Sequence, residues 1–135
     1  MSFQLHPQLL ADCHVLLQWP ICHVLLHRNA IVPWLILVPE TDHVDLLEMP
    51  AGQREAVLNE AACIAKVIQQ HWKLEKINFA QLGNVVPQMH LHVIGRTSTD
   101  PCWPRPIWGN LPEQARDYSV AEVQEIRVIC SQVSP

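Results

Sequence analysis

The stretch Gly83-Asn84-Val85-Val86-Pro87-Gln88-Met89-His90-Leu91-His92-Val93-Ile94-Gly95-Arg96 decides how this chain is read. From Gln88 to Ile94 polar and apolar residues alternate, as they do on a strand with one face in a core. That alternation puts Gln88, His90 and His92 on one face, with Met89, Leu91 and Val93 on the other. Neighbours on one face of a strand lie roughly 6.5–7 Å apart, a span over which an amide and two imidazoles can grip a charged ligand. Three chemistries fit the pattern. The histidines can simply line a solvated face. They can supply two ligands of a metal site, whose third ligand the sequence does not identify. Or His90 can act as a nucleophile, one ring nitrogen held by an acceptor and the other free.

Outward from this stretch the chain resolves into further elements. Cys22 to His27 alternates and predicts a strand. Cys22, Val24 and Leu26 share one side of it, and His23, Leu25 and His27 the other. Trp34 to Val38 is a continuous apolar run closed by Pro39, which suits a strand covered on both faces. Val57, Ala61, Ile64, Ile68 and Trp72 form an apolar stripe at helical spacing, predicting a helix over 51–72. Asp45 to Glu48 resembles a capping box, and Pro50 suits a first helical position. Ile77 and Phe79, and by extension Leu82, make a strand ended by Gly83-Asn84. Ser119-Val120-Ala121-Glu122 is a capping box for a helix over 119–132. His6-Pro7 opens a short helix continuing through Leu10 to Leu17. Residues 97–118, with four prolines, Trp103 and Trp108, read as an ordered irregular loop. Two strand pairs flanking one helix imply an α+β fold with an antiparallel sheet.

Composition narrows the function classes. The chain has 135 residues, 49% of them hydrophobic, which sets the expectation of one domain over 1–135 with a sizeable core. The net charge of −4 argues against a nucleic-acid polymer as partner, though not against a small nucleotide. Five cysteines, odd in number and without a C-x-x-C pair, fit neither a disulfide framework nor a zinc ribbon. No signal-peptide pattern opens the chain, and its longest apolar run is too short for a bilayer. The expectation is a cytoplasmic protein with no membrane partner.

The chain resembles the histidine triad (HIT) superfamily of nucleotide hydrolases and transferases. That family's strand reads His-φ-His-φ-His-φ-φ, with φ apolar, after a glycine-containing loop; here it reads Gln-φ-His-φ-His-φ-φ. Pro33 to Pro39 is similar to the family's upstream Pro-Gly-His-φ-φ-φ-φ-Pro strand. Val86-Pro87-Gln88 and Asp100-Pro101-Cys102-Trp103-Pro104 resemble a bacterial branch of the family. The resemblance spans about 22–96. It implies a sheet of about five strands with one long helix packed on it, and a homodimer whose two sheets join.

The resemblance also implies roles. His90 is the nucleophile that attacks an α-phosphorus, for example of a diadenosine polyphosphate, and His92 contacts the phosphate. Gly83 and Asn84 fall at the family's phosphate loop. Asn29 falls where the family binds ribose, with His27 beside it, and Leu25 and Ile21 fall near the base pocket. Trp103 or Trp108 clamps a base or closes the site; Trp103 is taken as the substrate contact. No metal or cofactor is required. Two departures stand out. Gln88 replaces the first histidine, and an amide donates a hydrogen bond without delivering a proton. Trp34 replaces the upstream histidine that supports the nucleophile. A nucleotide sensor with little turnover, and a metal-binding His-x-His strand, are the alternatives. For His6, His14, His23, His43 and His71 a structural place is expected, and for Arg96 and Arg105 a solvated one.

Overall fold

A computed structural model describes residues 2–113 and 116–135. In chain order the elements are α1 (Pro7–Asp12), β1 (Cys13–Gln18), β2 (Cys22–His27), β3 (Trp34–Pro39), a 3-10 turn (Leu46–Glu48), α2 (Ala51–His71), β4 (Lys76–Gln81), β5 (Leu91–Arg96) and α3 (Val120–Ser131). The strands form one antiparallel sheet in the order β1-β2-β3-β5-β4. This is the α+β architecture expected from the sequence. Among the described residues, no helix is long and apolar enough to cross a membrane.

The alternation of each central strand divides its side chains between two cores. Val24 and Leu26, Leu35 and Leu37, and Leu91 and Val93 face α2 and α3, where Val57, Ile64, Ile68 and Ile126 meet them. Leu25, Trp34, Ile36, Val38 and Ile94 face the other way, under Leu9 of α1 and under Cys102 and Ile107 of the loop. β3 is therefore buried along its whole length, as its unbroken apolar run requires. Gly95 lets β5 pass close to the end of α2. A Cβ there would sit 2.8 Å from both Ile68 and Leu74.

Four expectations change. The first helix stops at Asp12 rather than reaching Leu17, and residues 13–18 form an extra edge strand. A bulge between Val15 and Leu17 shifts its register against β2. Cys13 and Leu16 are thereby both buried, three residues apart, and the pattern imitates a helix. Arg127 of α3 caps the carbonyls of Leu16 and Val15 at 2.8 and 3.1 Å, fastening the helix to this edge. Near α2, Asp45 makes no side-chain cap and Pro50 lies just before the first helical residue. The last strand begins at Leu91, because β3 and β4 supply partners only from Leu37 and Gln81 onward. Gln88 and His90 thus sit on the approach to the strand, and the one-face rule does not extend to Gln88. Arg96 is not solvated; it is 2% exposed. The Ser119–Glu122 capping box forms as expected.

Glu60 is a further buried charge, on the sheet side of α2. Its carboxylate accepts the backbone N–H groups of Ile21 and Cys22 at 3.0 and 2.9 Å, tying the helix to the start of β2.

Candidate functional site

A cavity of about 430 Å³ opens on the sheet face opposite α2. Its floor is made by Trp34 and Ile36 of β3, His92 of β5 and His27 at the end of β2. α1 contributes Gln8, Leu9 and Asp12. The turn after β4 contributes residues 82–86, including Gly83, which adopts a φ of +71°, and Asn84. His90 stands at the approach to β5, and Trp108 closes the far side.

The partner at Nδ1 indicates the neutral tautomer of each imidazole. His90 Nδ1 lies 2.8 Å from the carbonyl oxygen of Gln88. A carbonyl only accepts, so Nδ1 carries a proton, and in the neutral ring the lone pair is on Nε2. His92 Nδ1 receives the indole N–H of Trp34 at 3.0 Å. An indole only donates, so the His92 proton is on Nε2. His27 Nδ1 receives the backbone N–H of Asn29 at 3.0 Å and is also of the Nε2–H form. Two adjacent histidines, their ring centroids 4.9 Å apart, therefore present opposite functions: His90 a lone pair, His92 a donor.

Burial keeps the donors uncharged. Removal from water, reinforced by His90 and His27, pushes His92 down to about 3. Burial likewise lowers His27 to about 4 against the opposing pull of Asp12 and Asp117. With these rings neutral, and no lysine or arginine among the lining residues, a phosphate here would be met by N–H donors rather than by cations. Among the described residues, no three His, Cys, Asp or Glu side chains converge to hold a metal ion.

The loop that carries Trp108 is organised from β5. Arg96 pairs with Asp100 through Nε and Nη2 at 2.7 and 3.1 Å, reaches Asn78 at 2.9 Å and donates to the Arg105 carbonyl at 2.8 Å. Asp100 in turn accepts the backbone N–H of Trp103 at 2.8 Å. The guanidinium holds its carboxyl below the usual carboxylate range. Trp108 then meets His92 edge-on, with centroids 5.1 Å apart.

Of the residues singled out from the sequence, His90, His92, Gly83, Asn84 and His27 meet at this cavity. Five stand elsewhere, among them Ile21, which lies just before β2 with its N–H on Glu60. The amide of Gln88 is turned to the N-terminal segment, accepting from the His6 N–H at 2.8 Å and donating to the Gln4 carbonyl at 2.9 Å. Asn29 is buried, and its side chain accepts the Ile31 N–H; it reaches the cavity only through His27. Leu25 is fully buried in the core beneath. Trp103 lies under the Arg96 guanidinium at 5.6 Å, and its neighbour in sequence Trp108 takes the cavity wall instead. Sequence reasoning missed the three α1 residues; it saw in Trp34 only the loss of the histidine that supports the nucleophile, whereas the indole bonds His92 and the Gln88 carbonyl holds His90. The misreading of β1 hid the α1 residues, because it hid where the first helix ends.

Comparison with known proteins agrees with this fold. A HIT domain family model matches residues 8–99. A histidine triad protein from Bradyrhizobium japonicum is 32% identical, with a TM-score of 0.89 over 100% of both chains. One from Marinobacter aquaeolei VT8 is 37% identical, with a TM-score of 0.84 over 94% of this chain and 92% of that one. One from Sinorhizobium meliloti 1021 is 30% identical, with a TM-score of 0.89 over 98% of each. No curated protein matches the chain.

Proposed function

The chain belongs to the HIT domain family, which places it in the class of nucleotide-binding hydrolases and transferases, and from that premise we propose that it cleaves nucleotides at the α-phosphate through His90. The observation that carries this reading is the His90 ring, whose Nδ1–H is anchored on the Gln88 carbonyl so that the Nε2 lone pair is free. In the first step Nε2 attacks phosphorus, the bond to the leaving oxygen breaks, and the leaving group departs with the electron pair. The positive charge gathered by the imidazole is shared with the Gln88 carbonyl. In the second step water or another hydroxyl attacks phosphorus, the P–N bond breaks, and the acceptor's proton passes to solvent. His92 Nε2–H, with Asn84 and the turn at Gly83, supplies hydrogen bonds to the non-bridging oxygens.

The orientation of Gln88 shapes the substrate class. With its amide held by Gln4 and His6, it gives no proton to a leaving group. Leaving groups of low basicity, such as the phosphate chain of a diadenosine polyphosphate, fit this better than amines. The absence of cations from the lining leaves the remainder of such a chain outside the cavity, in solvent.

The test is turnover of diadenosine polyphosphates and of a nucleoside phosphoramidate, with mass analysis of quenched protein for a nucleotidyl adduct on His90. Wild type should turn over the first class faster. His90→Ala should lose at least about a thousandfold in rate and all of the adduct, with an unchanged melting temperature. Equal rates for wild type and variant would remove the catalytic role. The same disposition of Gln88 favours a second reading, a nucleotide sensor. Calorimetry would then show His90-dependent binding with no product formed.

We also propose a homodimer through the open edge of β4. That edge is flanked by half-exposed Phe79 and Leu58, which with Ala62, Ala65 and Ile77 line an apolar cleft of about 190 Å³ between α2 and the sheet. An edge strand beside an apolar cleft suits a second copy related by a two-fold axis. Sedimentation should give twice the chain mass for wild type and the single chain mass for Phe79→Lys.

A further inference from the structure

We propose that Trp34 is a positioning residue that fixes His92 in the Nε2–H tautomer, making it a dedicated hydrogen-bond donor to the substrate phosphate rather than an acid or a base. The inference rests on the proposed reaction for the identity of the acceptor, but not for the tautomer. Three observations support it. The indole N–H meets His92 Nδ1 at 3.0 Å, inside the core. The indole is itself held flat, with His27 stacked on it at 3.7 Å and 4° and Trp108 edge-on at 6.3 Å. A ring clamped on two sides has little freedom to swing its N–H away. Finally, His92 Nε2 has no protein partner among the described residues, and it is not among the atoms sealed from solvent without one. The donor is thus open to the cavity that His92 lines.

The electrostatic surroundings act in the same direction. The titratable groups facing the His92 ring are His90, on its own segment, and His27, at the end of β2. Asp12 of α1 and Asp117, beyond the loop, act on His27 and pull it toward the charged form, but burial outweighs them. A proton added to His92 Nδ1 would have to displace the indole N–H and would then point at it, donor against donor. A second ring proton on His92 is in this way disfavoured by geometry and burial together.

The deciding measurement is the long-range ¹⁵N–¹H spectrum of the histidine rings, recorded without substrate on wild type and Trp34→Phe. Wild type should show His92 with a protonated Nε2 and an unprotonated Nδ1, unchanged down to about pH 5. In Trp34→Phe both tautomers should appear and His92 should begin to titrate. kcat should fall about tenfold, with KM within about twofold, and the acid limb of the kcat profile should change shape. Saturation with adenosine monophosphate should move the wild-type Nε2–H resonance downfield. A wild-type His92 protonated on Nδ1, or titrating with the other imidazoles, overturns the proposal whether or not the variant folds. So does a folded Trp34→Phe with an unaltered tautomer and unaltered kcat. An Nε2–H resonance that ignores the nucleotide removes the phosphate as its acceptor. Absence of turnover with an intact tautomer result would instead count against the proposed reaction alone.

Discussion

The two faces of the sheet are covered in different ways. One is packed by α2 and α3 through aliphatic side chains at regular spacing, and what it leaves open beside β4 is an apolar cleft. The other is covered by α1, by the N-terminal segment and by the irregular chain of 97–113, and it holds the cavity. The first face is held mainly by aliphatic contacts, with Glu60 and Arg127 tying its helices to strand backbone. The second is held by a few polar fastenings: Arg96 with Asp100, Gln88 with Gln4 and His6, and the indole of Trp34 with His92. An aliphatic layer offers no groups to act on a substrate. Chemistry needs placed polar groups, and placing them takes specific bonds in place of general packing.

The contrast can be broken first at Asp100. Asp100→Ala leaves a buried guanidinium unpaired and should lower stability by about 4 kcal/mol. It should also raise KM, because the loop bearing Trp108 loses its anchor; denaturation and steady-state kinetics on the same sample read both. An unchanged KM would show that the loop does not shape the cavity. Ile64→Ala, on the opposite face, should lower stability by about 3 kcal/mol through the void left under the sheet, while kcat/KM per folded molecule stays at the wild-type value. Loss of activity in the folded fraction would mean that the two faces are coupled.

Acid should act on the site face. His27 and His92 are held uncharged in the folded chain, at about 4 and about 3, against an ordinary value of 6.5. Below about pH 6.5 the unfolded chain therefore binds more protons at these positions than the folded one. Their contribution is complete above 6.5 and is lost as pH falls, by up to about 1.4 kcal/mol per pH unit for each ring, until about 4 for His27 and about 3 for His92. Melting temperature followed from pH 7 to 4.5 should decline, with a shallower slope in His27→Gln. Equal slopes would show that His27 is charged in the fold. The smallest effect belongs to the helix-covered side. Ser119→Ala removes the α3 cap and should cost about 1 kcal/mol in chemical denaturation, with no kinetic consequence.

The same contrast governs what was legible in the sequence. The helix face was readable because periodicity is local: Val57, Ala61, Ile64 and Ile68 are buried at the expected spacing, and Ser119 caps as its box implies. Trp72 is only half-buried, at the C-cap that ends that stripe. On the site face the alternation placed His90 and His92 together, but the direction of Gln88 depends on partners more than eighty residues away. No local pattern announces such a bond. Arg96 reads as a surface residue because its carboxylate, Asp100, lies in irregular chain with no period to bring it back onto β5. Trp103 and Trp108 are equivalent by composition, and only the folded loop assigns one to Arg96 and the other to His92. The bulge in β1 replaced a two-residue period with a three-residue one and so disguised a strand as a helix.

The bond between Gln88 and the N-terminal segment has an evolutionary consequence. A position that could serve acid–base chemistry serves here as a buckle, and the segment it holds leads directly into α1, which walls the cavity. Residue 88 and residues 4–12 thus form one structural unit. A chain with a histidine at 88 must find another fastening for this strap, so substitutions in the two places should be correlated.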